Sequence, residues 1–245
     1  MSNTEKVLDV NVTNMNYDEL IRSVESVIEN KEQANIIAVN PEKIIALKKD
    51  PNLKKLINNA TYTIPDGIGI VFASKVNNGS ITNRITGVDL FIKLLHLANK
   101  NKYKIFLYGA KQEVVEAAVS NINKQFPDLI IAGYSDGYVE NQEQLISDIN
   151  NSGAQLLFVA LGSPRQEYWI EENKSKLRVN VFQGVGGSFD VISGRVKRAP
   201  SLFRKTGLEW LYRLLSQPSR IKRQVALPKF FIKVILQKNK SYRES

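Results

Sequence analysis

Short apolar runs alternate with amphipathic stretches along most of this 245-residue chain. A continuous apolar run predicts a buried strand, whereas apolar residues spaced three and four apart predict a helix. Buried strands that are separated by helices are typical of a parallel sheet covered by helices. The pattern therefore predicts an α/β fold with a Rossmann-like layout over residues 1–195, with strands at 34–39, 61–64, 104–109, 129–133, 156–162 and 179–184.

Helices are predicted between these strands, and two of them begin at recognisable capping signals. Asn16 and Glu19 have the spacing of a capping box, and Asn40 precedes a proline in the first turn of the next helix. No segment approaches the roughly 20 apolar residues that a membrane-spanning helix needs, and the polar first residues do not resemble a signal peptide. Further helices are predicted over 87–99, 113–126, 142–150 and 168–177.

Residues 196–245 break this rhythm and carry the basic excess of the chain. From residue 195 to the end there are 14 basic and 2 acidic residues, a net charge of +12, whereas the whole chain carries +10. Large apolar residues, among them Trp210 and Phe230, alternate with the charges at helical spacing. Such a segment fits an anionic lipid surface or a nucleic acid, and its high apolar content favours lipid. We therefore expect an α/β domain over 1–195 and a basic, amphipathic, membrane-associating appendage over 196–245.

The composition narrows the chemistry that the chain can perform. It has no cysteine, which excludes disulfides and thiolate catalysis. Its one histidine, His96, excludes a histidine-rich metal site and argues against a Ser-His-Asp triad. His96 lies among leucines in a predicted helix, where a structural or surface position is expected. A hydrophobic content of 43% is that of a globular chain.

One carboxylate stands out at the end of a predicted strand, the edge at which parallel α/β sheets bind their ligands. Asp66 lies between Pro65 and Gly67, so its side chain projects beside a backbone that a substrate can approach closely. A carboxylate in this position can act as a general base. The alternative is that the tripeptide is only a turn, since Pro, Asp and Gly are all common turn residues.

A glycine-rich segment follows the last predicted strand. Backbone amides of Gly184 and of the Gly186-Gly187 pair could bind a phosphate or diphosphate. The dinucleotide-binding pattern is absent, because Phe189 occupies its third glycine position. Arg84 and Arg165 could also bind phosphate, and the alternative is that both are solvated surface charges.

Taken in order, these motifs resemble the WecG/TagA/CpsF family of bacterial glycosyltransferases, and the resemblance extends from about residue 10 to residue 236. Within that family the chain closely resembles the TagA branch, which makes the linkage unit of wall teichoic acid. The motifs that carry the resemblance lie at 40–42, 65–69, 84–87, 162–167, 184–190, 195–200 and 207–213.

The resemblance implies a reaction. An inverting transferase passes N-acetylmannosamine from its UDP donor to the 4-hydroxyl of N-acetylglucosamine on undecaprenyl diphosphate. No cofactor and no metal are expected, and the chain lacks the Asp-x-Asp motif that clamps a divalent cation in many nucleotide-sugar transferases. The family also implies a catalytic domain at the inner face of the cell membrane. Its C-terminal appendage completes the active site there, often with a change of homo-oligomeric state.

The resemblance implies roles for individual residues as well. Asp66 corresponds to the general base that deprotonates the acceptor hydroxyl. Asn40 and Gln166 correspond to residues that position the sugar or the acceptor. Arg84 corresponds to an active-site arginine near a phosphate. Three arginines of the appendage correspond to residues that reach the donor diphosphate or the lipid phosphates, namely Arg213, Arg220 and Arg223.

One departure from the family leaves two alternatives open. Many relatives have threonine two residues before Asn40, where this chain has Ala38, so a hydroxyl contact with the substrate is lost. The first alternative is therefore a transferase of the same family with another UDP-sugar, of the glucose or mannosaminuronic acid type, in a different polysaccharide pathway. The second is an RNA-binding α/β protein with a basic tail, which would explain none of the motifs at the strand ends.

Overall fold

The computed structural model describes residues 4–207, 209–216 and 226–241. Its strands are β1 (Thr4–Val7), β2 (Val10–Thr13), β3 (Ala34–Val39), β4 (Tyr62–Pro65), β5 (Lys104–Gly109), β6 (Ile130–Ser135), β7 (Leu156–Ala160) and β8 (Val181–Gly184). Its helices are α1 (Tyr17–Glu29), α2 (Pro41–Ala46), α3 (Pro51–Asn58), α4 (Ile68–Val76), α5 (Gly87–Asn101), α6 (Gln112–Gln125), α7 (Gln142–Ser152), α8 (Arg165–Asn173), α9 (Ser188–Ile192), α10 (Ser201–Lys205), α11 (Glu209–Ser216) and α12 (Ala226–Ser241).

Six strands form one sheet in the order β4-β3-β8-β7-β5-β6. The pairs β3–β8, β8–β7, β7–β5 and β5–β6 are parallel, and the central pairing aligns Leu156 of β7 with Val181 of β8. β1 and β2 form a separate antiparallel hairpin. The predicted α/β fold, a Rossmann-like parallel sheet flanked by helices with a helical C-terminal appendage, is confirmed.

The predicted elements differ from the observed ones mainly at their ends. All six predicted strands are present, and the strand predicted over 156–162 ends at Ala160. The helix predicted over 168–177 is α8, which begins at Arg165. Pro164 directly precedes this first helical residue, where the missing N–H of proline costs no intrahelical hydrogen bond. The β1–β2 hairpin was not predicted, because three of the four residues of β1 are polar.

The chain divides into two compact units. The first comprises Met1–Asn16, Ala38–Thr86 and Arg198–Ser245, and the second comprises Tyr17–Ile37 and Gly87–Lys197. The appendage thus groups with the first unit. The domain boundary that the sequence places at residue 195 stays a prediction.

In the first unit, the last helix packs on two helices that follow strand ends. α12 lies against α2 and α4. Its Phe230 and Val234 are fully buried. Phe231 of α12 meets Phe72 of α4 edge to face, with ring centroids 5.1 Å apart. These aromatic and aliphatic contacts fix α12 beside the helices that begin after Asn40 and Gly67.

In the second unit, three phenylalanines form the centre of the core. Phe91 of α5 meets Phe158 of β7 at a ring-centroid distance of 4.6 Å and Phe189 of α9 at 5.9 Å. All three side chains are fully buried. His96, on the same helix as Phe91, is exposed and stacks edge to face on Phe126, which agrees with the surface or structural position expected for it.

Truncation of Phe91 tests this core. Phe91→Ala removes a ring in contact with two others, so the free energy of unfolding should fall by about 3–5 kcal/mol, as measured by urea denaturation. The matched control is Lys100→Ala, an exposed position on the same helix, which should stay within about 0.5 kcal/mol of the original protein. Equal stability of the two variants would show that the phenylalanine cluster does not hold the second unit together.

Candidate active site

Two backbone hydrogen bonds hold the turn that contains Asp66. The Asp66 N–H donates to the carbonyl of Val39 at 2.8 Å, and the Ile85 N–H donates to the carbonyl of Pro65 at 3.0 Å. Asp66 itself is half-buried. Since Asn40 follows Val39 and Arg84 precedes Ile85, the structure brings three of the predicted site residues to one place in the first unit.

Asn40 caps the helix that follows β3. Its Oδ1 accepts a hydrogen bond from the Lys43 N–H at 2.8 Å, and Pro41 occupies the first turn of α2. This is the helix start that the sequence predicts, and it is a sufficient structural reason for an asparagine here. The sugar-positioning role of Asn40 stays a prediction.

Arg84 is half-buried and contacts the appendage. Its Nη2 donates a hydrogen bond of 2.6 Å to the main-chain carbonyl of Arg204, in the last turn of α10. The guanidinium group therefore has a protein partner within the first unit. Its predicted contact with a substrate phosphate remains untested.

In the second unit, Gln166 fixes the glycine-rich segment after β8. Gln166 is buried in the first turn of α8, and its Oε1 accepts from the Gly186 N–H at 3.0 Å. Its Nε2 donates to the Glu167 carboxylate at 3.2 Å. A side chain at Gly184 would place its Cβ only 2.5 Å from that Nε2 and 3.0 Å from the Gln166 Cδ, so any larger residue there would displace the Gln166 side chain. Gln166 thus orders the loop, and direct contacts of Gln166 or these glycines with a ligand stay predictions.

A cavity of about 320 Å³ lies in the second unit, at the carboxyl ends of β5, β7 and β8. Its wall includes Gly186 and Gly187, three cationic residues, Lys111, Arg165 and Arg195, and one carboxylate, that of Asp190. Arg195 also forms an exposed ion pair with Glu113 at 3.2 Å. The sequence pointed to Arg165 and the glycines. It did not point to Lys111, which follows β5 by two residues, or to Arg195, which is distant along the chain.

The three appendage arginines are only partly within the described residues. Arg213 lies in α11, although the position of its side chain is not described. Arg220 and Arg223 lie outside the described residues. Their predicted contacts with phosphate groups therefore stay predictions.

A parallel α/β sheet with a cationic, glycine-lined cavity at the carboxyl ends of its strands is typical of enzymes that bind nucleotides and other phosphorylated ligands. Residues 5–244 match the family described as "Glycosyl transferase WecG/TagA/CpsF family". The chain therefore belongs to the WecG/TagA/CpsF family, and it is a glycosyltransferase.

Two relatives are similar over most of their length. One is the N-acetylglucosaminyldiphosphoundecaprenol N-acetyl-β-D-mannosaminyltransferase of Bacillus subtilis (strain 168), which is 41% identical over 239 residues, 97% of this chain and 93% of the relative. The other has the same name and comes from Bacillus spizizenii (strain ATCC 23059 / NRRL B-14472 / W23). It is 40% identical over 208 residues, 85% of this chain and 81% of the relative.

Loss of the Gln166 side chain tests the ordering of the glycine-rich segment. Gln166→Ala removes the acceptor of the half-buried Gly186 N–H, so the free energy of unfolding should fall by about 0.5–1.5 kcal/mol. Urea denaturation measures this loss of stability. The control is Ser163→Ala, at an exposed position just before α8. An unfolding midpoint of Gln166→Ala equal to that of the control would contradict the role of this amide.

Proposed function

We propose that this enzyme transfers N-acetylmannosamine from UDP-N-acetylmannosamine to the 4-hydroxyl of N-acetylglucosamine on undecaprenyl diphosphate. The product is the disaccharide of the wall teichoic acid linkage unit. The observation that carries the proposal is the 41% identity, over 97% of the chain, to a relative whose name states the transfer of N-acetylmannosamine to N-acetylglucosaminyldiphosphoundecaprenol. A carboxylate at a strand end of the first unit, Asp66, and a cationic cavity in the second unit each supply a group of the kind that this reaction needs.

Asp66 acts as the general base in this proposal. Its carboxylate accepts the proton of the acceptor 4-hydroxyl while that oxygen attacks the anomeric carbon of N-acetylmannosamine. The bond from the anomeric carbon to the diphosphate breaks, UDP leaves, and the configuration inverts. The hydrogen bonds of the Asp66 and Ile85 N–H groups hold the backbone on both sides of this residue. A fixed base loses little free energy to reorganisation during the reaction.

The cavity of the second unit binds the UDP part of the donor. Lys111, Arg165 and Arg195 supply positive charge to a diphosphate, whose negative charge grows as the glycosidic bond breaks. Tyr138, which also lines the cavity and is 68% exposed, offers a ring on which uracil can stack. Three cations can take the place of a divalent metal ion, so metal independence stays our prediction.

We further propose that the first unit attaches to the inner face of the cell membrane. No helix among the described residues is long and apolar enough to cross a membrane. The large apolar side chains that the described residues expose lie mostly in this unit, at Ile68, Phe72, Leu202, Trp210, Leu215, Ile232, Ile235 and Leu236. Exposed apolar residues of this kind, grouped with lysines and arginines, favour binding in the interface of an anionic bilayer.

Three crowded lysines, two on α12 and one after α2, support an anionic partner. Lys233 contacts Lys48, and this contact, together with burial and the charges of Lys48 and Lys229, lowers the pKa of Lys233 to about 8. Within the described residues, no carboxylate forms an ion pair with any of these three lysines. Phosphate groups of lipids would relieve the repulsion between them.

Removal of the Asp66 charge tests the proposed reaction. Asp66→Asn should lower turnover by roughly 10²- to 10⁴-fold because a general base is lost, while the fold is kept. UDP release is measured with a lipid-diphosphate N-acetylglucosamine acceptor and a panel of UDP-sugars. Asp128→Asn, which removes an exposed carboxylate from the second unit, is the control.

Two outcomes of that assay would count against the proposal. Turnover of Asp66→Asn close to that of the control would remove Asp66 from its role. Preference for a UDP-sugar of the glucose or mannosaminuronic acid type would mean that N-acetylmannosamine is not the donor sugar. The enzyme would then be a member of the same family with another donor, the alternative that Ala38 leaves open.

Vesicle binding tests the membrane proposal. Substitution of Lys48, Lys229 and Lys233 by Gln should weaken binding to anionic vesicles by roughly a hundredfold, at about 1 kcal/mol per basic residue near the surface. The control replaces three exposed lysines of the second unit by Gln and so removes the same charge; these are Lys100, Lys102 and Lys124. Equal losses in both triple variants would mean that net charge, and not this surface, determines attachment.

A further inference from the structure

We propose that Arg84 is a positioning residue that latches the start of the appendage to the turn that contains Asp66. The latch couples the docking of residues 201–207 to the placement of the general base. The kinetic part of this inference rests on the proposed function, whereas the latch itself is a property of the protein without substrate.

The first contact of the latch is a charge-assisted hydrogen bond. Arg84 Nη2 donates to the carbonyl of Arg204 at 2.6 Å, across 120 positions of the sequence. This carbonyl lies in the last turn of α10, where helix carbonyls lack the partners that the helix interior provides. A cation at the carboxyl end of a helix is also favoured by the helix dipole. The guanidinium group thus adds a short hydrogen bond to a carbonyl that otherwise accepts from the N–H groups at the end of this helix, among them that of Gly207 at 3.3 Å.

The second contact lies three residues further along the appendage. Gly207 has a φ of +76° and packs on Ile68, such that a Cβ added there would lie 3.0 Å from the Cβ of Ile68. Both the backbone conformation and the close approach therefore require glycine at this position. Ile68 is the first residue of α4 and comes two residues after Asp66.

These two contacts reach the Asp66 turn from both of its sides. On one side, Arg84 is bonded to Ile85, whose N–H holds the carbonyl of Pro65. On the other side, Gly207 packs on Ile68 at the start of α4. Undocking of residues 201–207 would therefore release restraints on Pro65 and on Ile68, one on each side of Asp66, without any change in Asp66 itself. Misplacement of a reacting group by about 1 Å can cost roughly a hundredfold in rate.

This role differs from a contact with substrate phosphate in a measurable way. A latch acts before any substrate is present and affects the chemical step more than the binding of UDP-N-acetylmannosamine. A phosphate ligand acts only when substrate is bound, and its loss raises KM for the donor.

The test uses the full chain and two readouts. Hydrogen exchange is measured without substrate on the backbone amides of residues 201–207 and 64–69, and kcat and KM for the donor are measured separately. Arg84→Met should accelerate exchange in both segments by roughly tenfold or more, since it removes a hydrogen bond to a charged group. It should lower kcat by roughly 10- to 100-fold and change KM for the donor by less than about threefold.

Two further variants serve as a second test of the latch and as its control. Gly207→Ala, which disturbs the other contact and leaves Arg84 in place, should reproduce both effects. Asn83→Ala changes the exposed neighbour of Arg84 and should alter neither readout.

Unchanged exchange in Arg84→Met without substrate would overturn the proposal, and so would a normal kcat with a strongly raised donor KM. If the enzyme uses another donor, the exchange measurement still decides whether the latch exists, so the two proposals fail separately.

Discussion

The first unit depends on how the chain is held where β4 ends. Proline at the last position of the strand has no N–H to donate, so the strand end must be bonded through the Pro65 carbonyl and the Asp66 N–H. Val39 and Ile85 provide the two partners. With these bonds in place, the cap of α2 at Asn40, the start of α4 and the loop before Arg84 all lie around one turn. These bonds fix the main chain from which the half-buried Asp66 carboxylate projects.

In the second unit, a side chain holds the main chain where it leaves the sheet. The segment after β8 leaves the sheet at Gly184, and its Gly186 N–H is bonded by the buried amide of Gln166. Because Gln166 lies in the first turn of α8, this bond links the ends of β7 and β8 through the helix that follows β7. Preorganised loops of this kind hold backbone groups and cations in position before a ligand arrives. Each unit thus has an ordered strand end, which carries a carboxylate in the first unit and lies beside positive charge in the second.

The sequence predicts those parts of the protein that depend on local patterns. The strand at β7 is continuously apolar, and the Asn40-Pro41 start of α2 is a local capping signal, so both were predicted. The β1–β2 hairpin was missed because a short strand with mostly polar residues has no clear apolar pattern. Arg84 could be selected as a functional arginine, but its partner is a carbonyl 120 positions away, which no local pattern reveals. Lys111 and Arg195 were missed for a related reason: a single cation after a strand has no significance until folding brings others beside it.

Because Arg84 binds a main-chain carbonyl, its contact with the appendage adds no negative charge there. Residues 195–245 carry a net charge of +12, and contact with Lys48, burial and the charges of Lys48 and Lys229 already lower the pKa of Lys233 on α12. An aspartate or glutamate in place of the carbonyl would hold Arg84 as well, but it would add a negative charge to the same surface. A main-chain carbonyl anchors the arginine without reducing the proposed attraction to an anionic bilayer, to which each basic charge near the surface adds about 1 kcal/mol. The same appendage can therefore be docked on the Asp66 turn and remain strongly cationic, and the proposed transfer to a lipid-diphosphate acceptor at a membrane needs both properties at once.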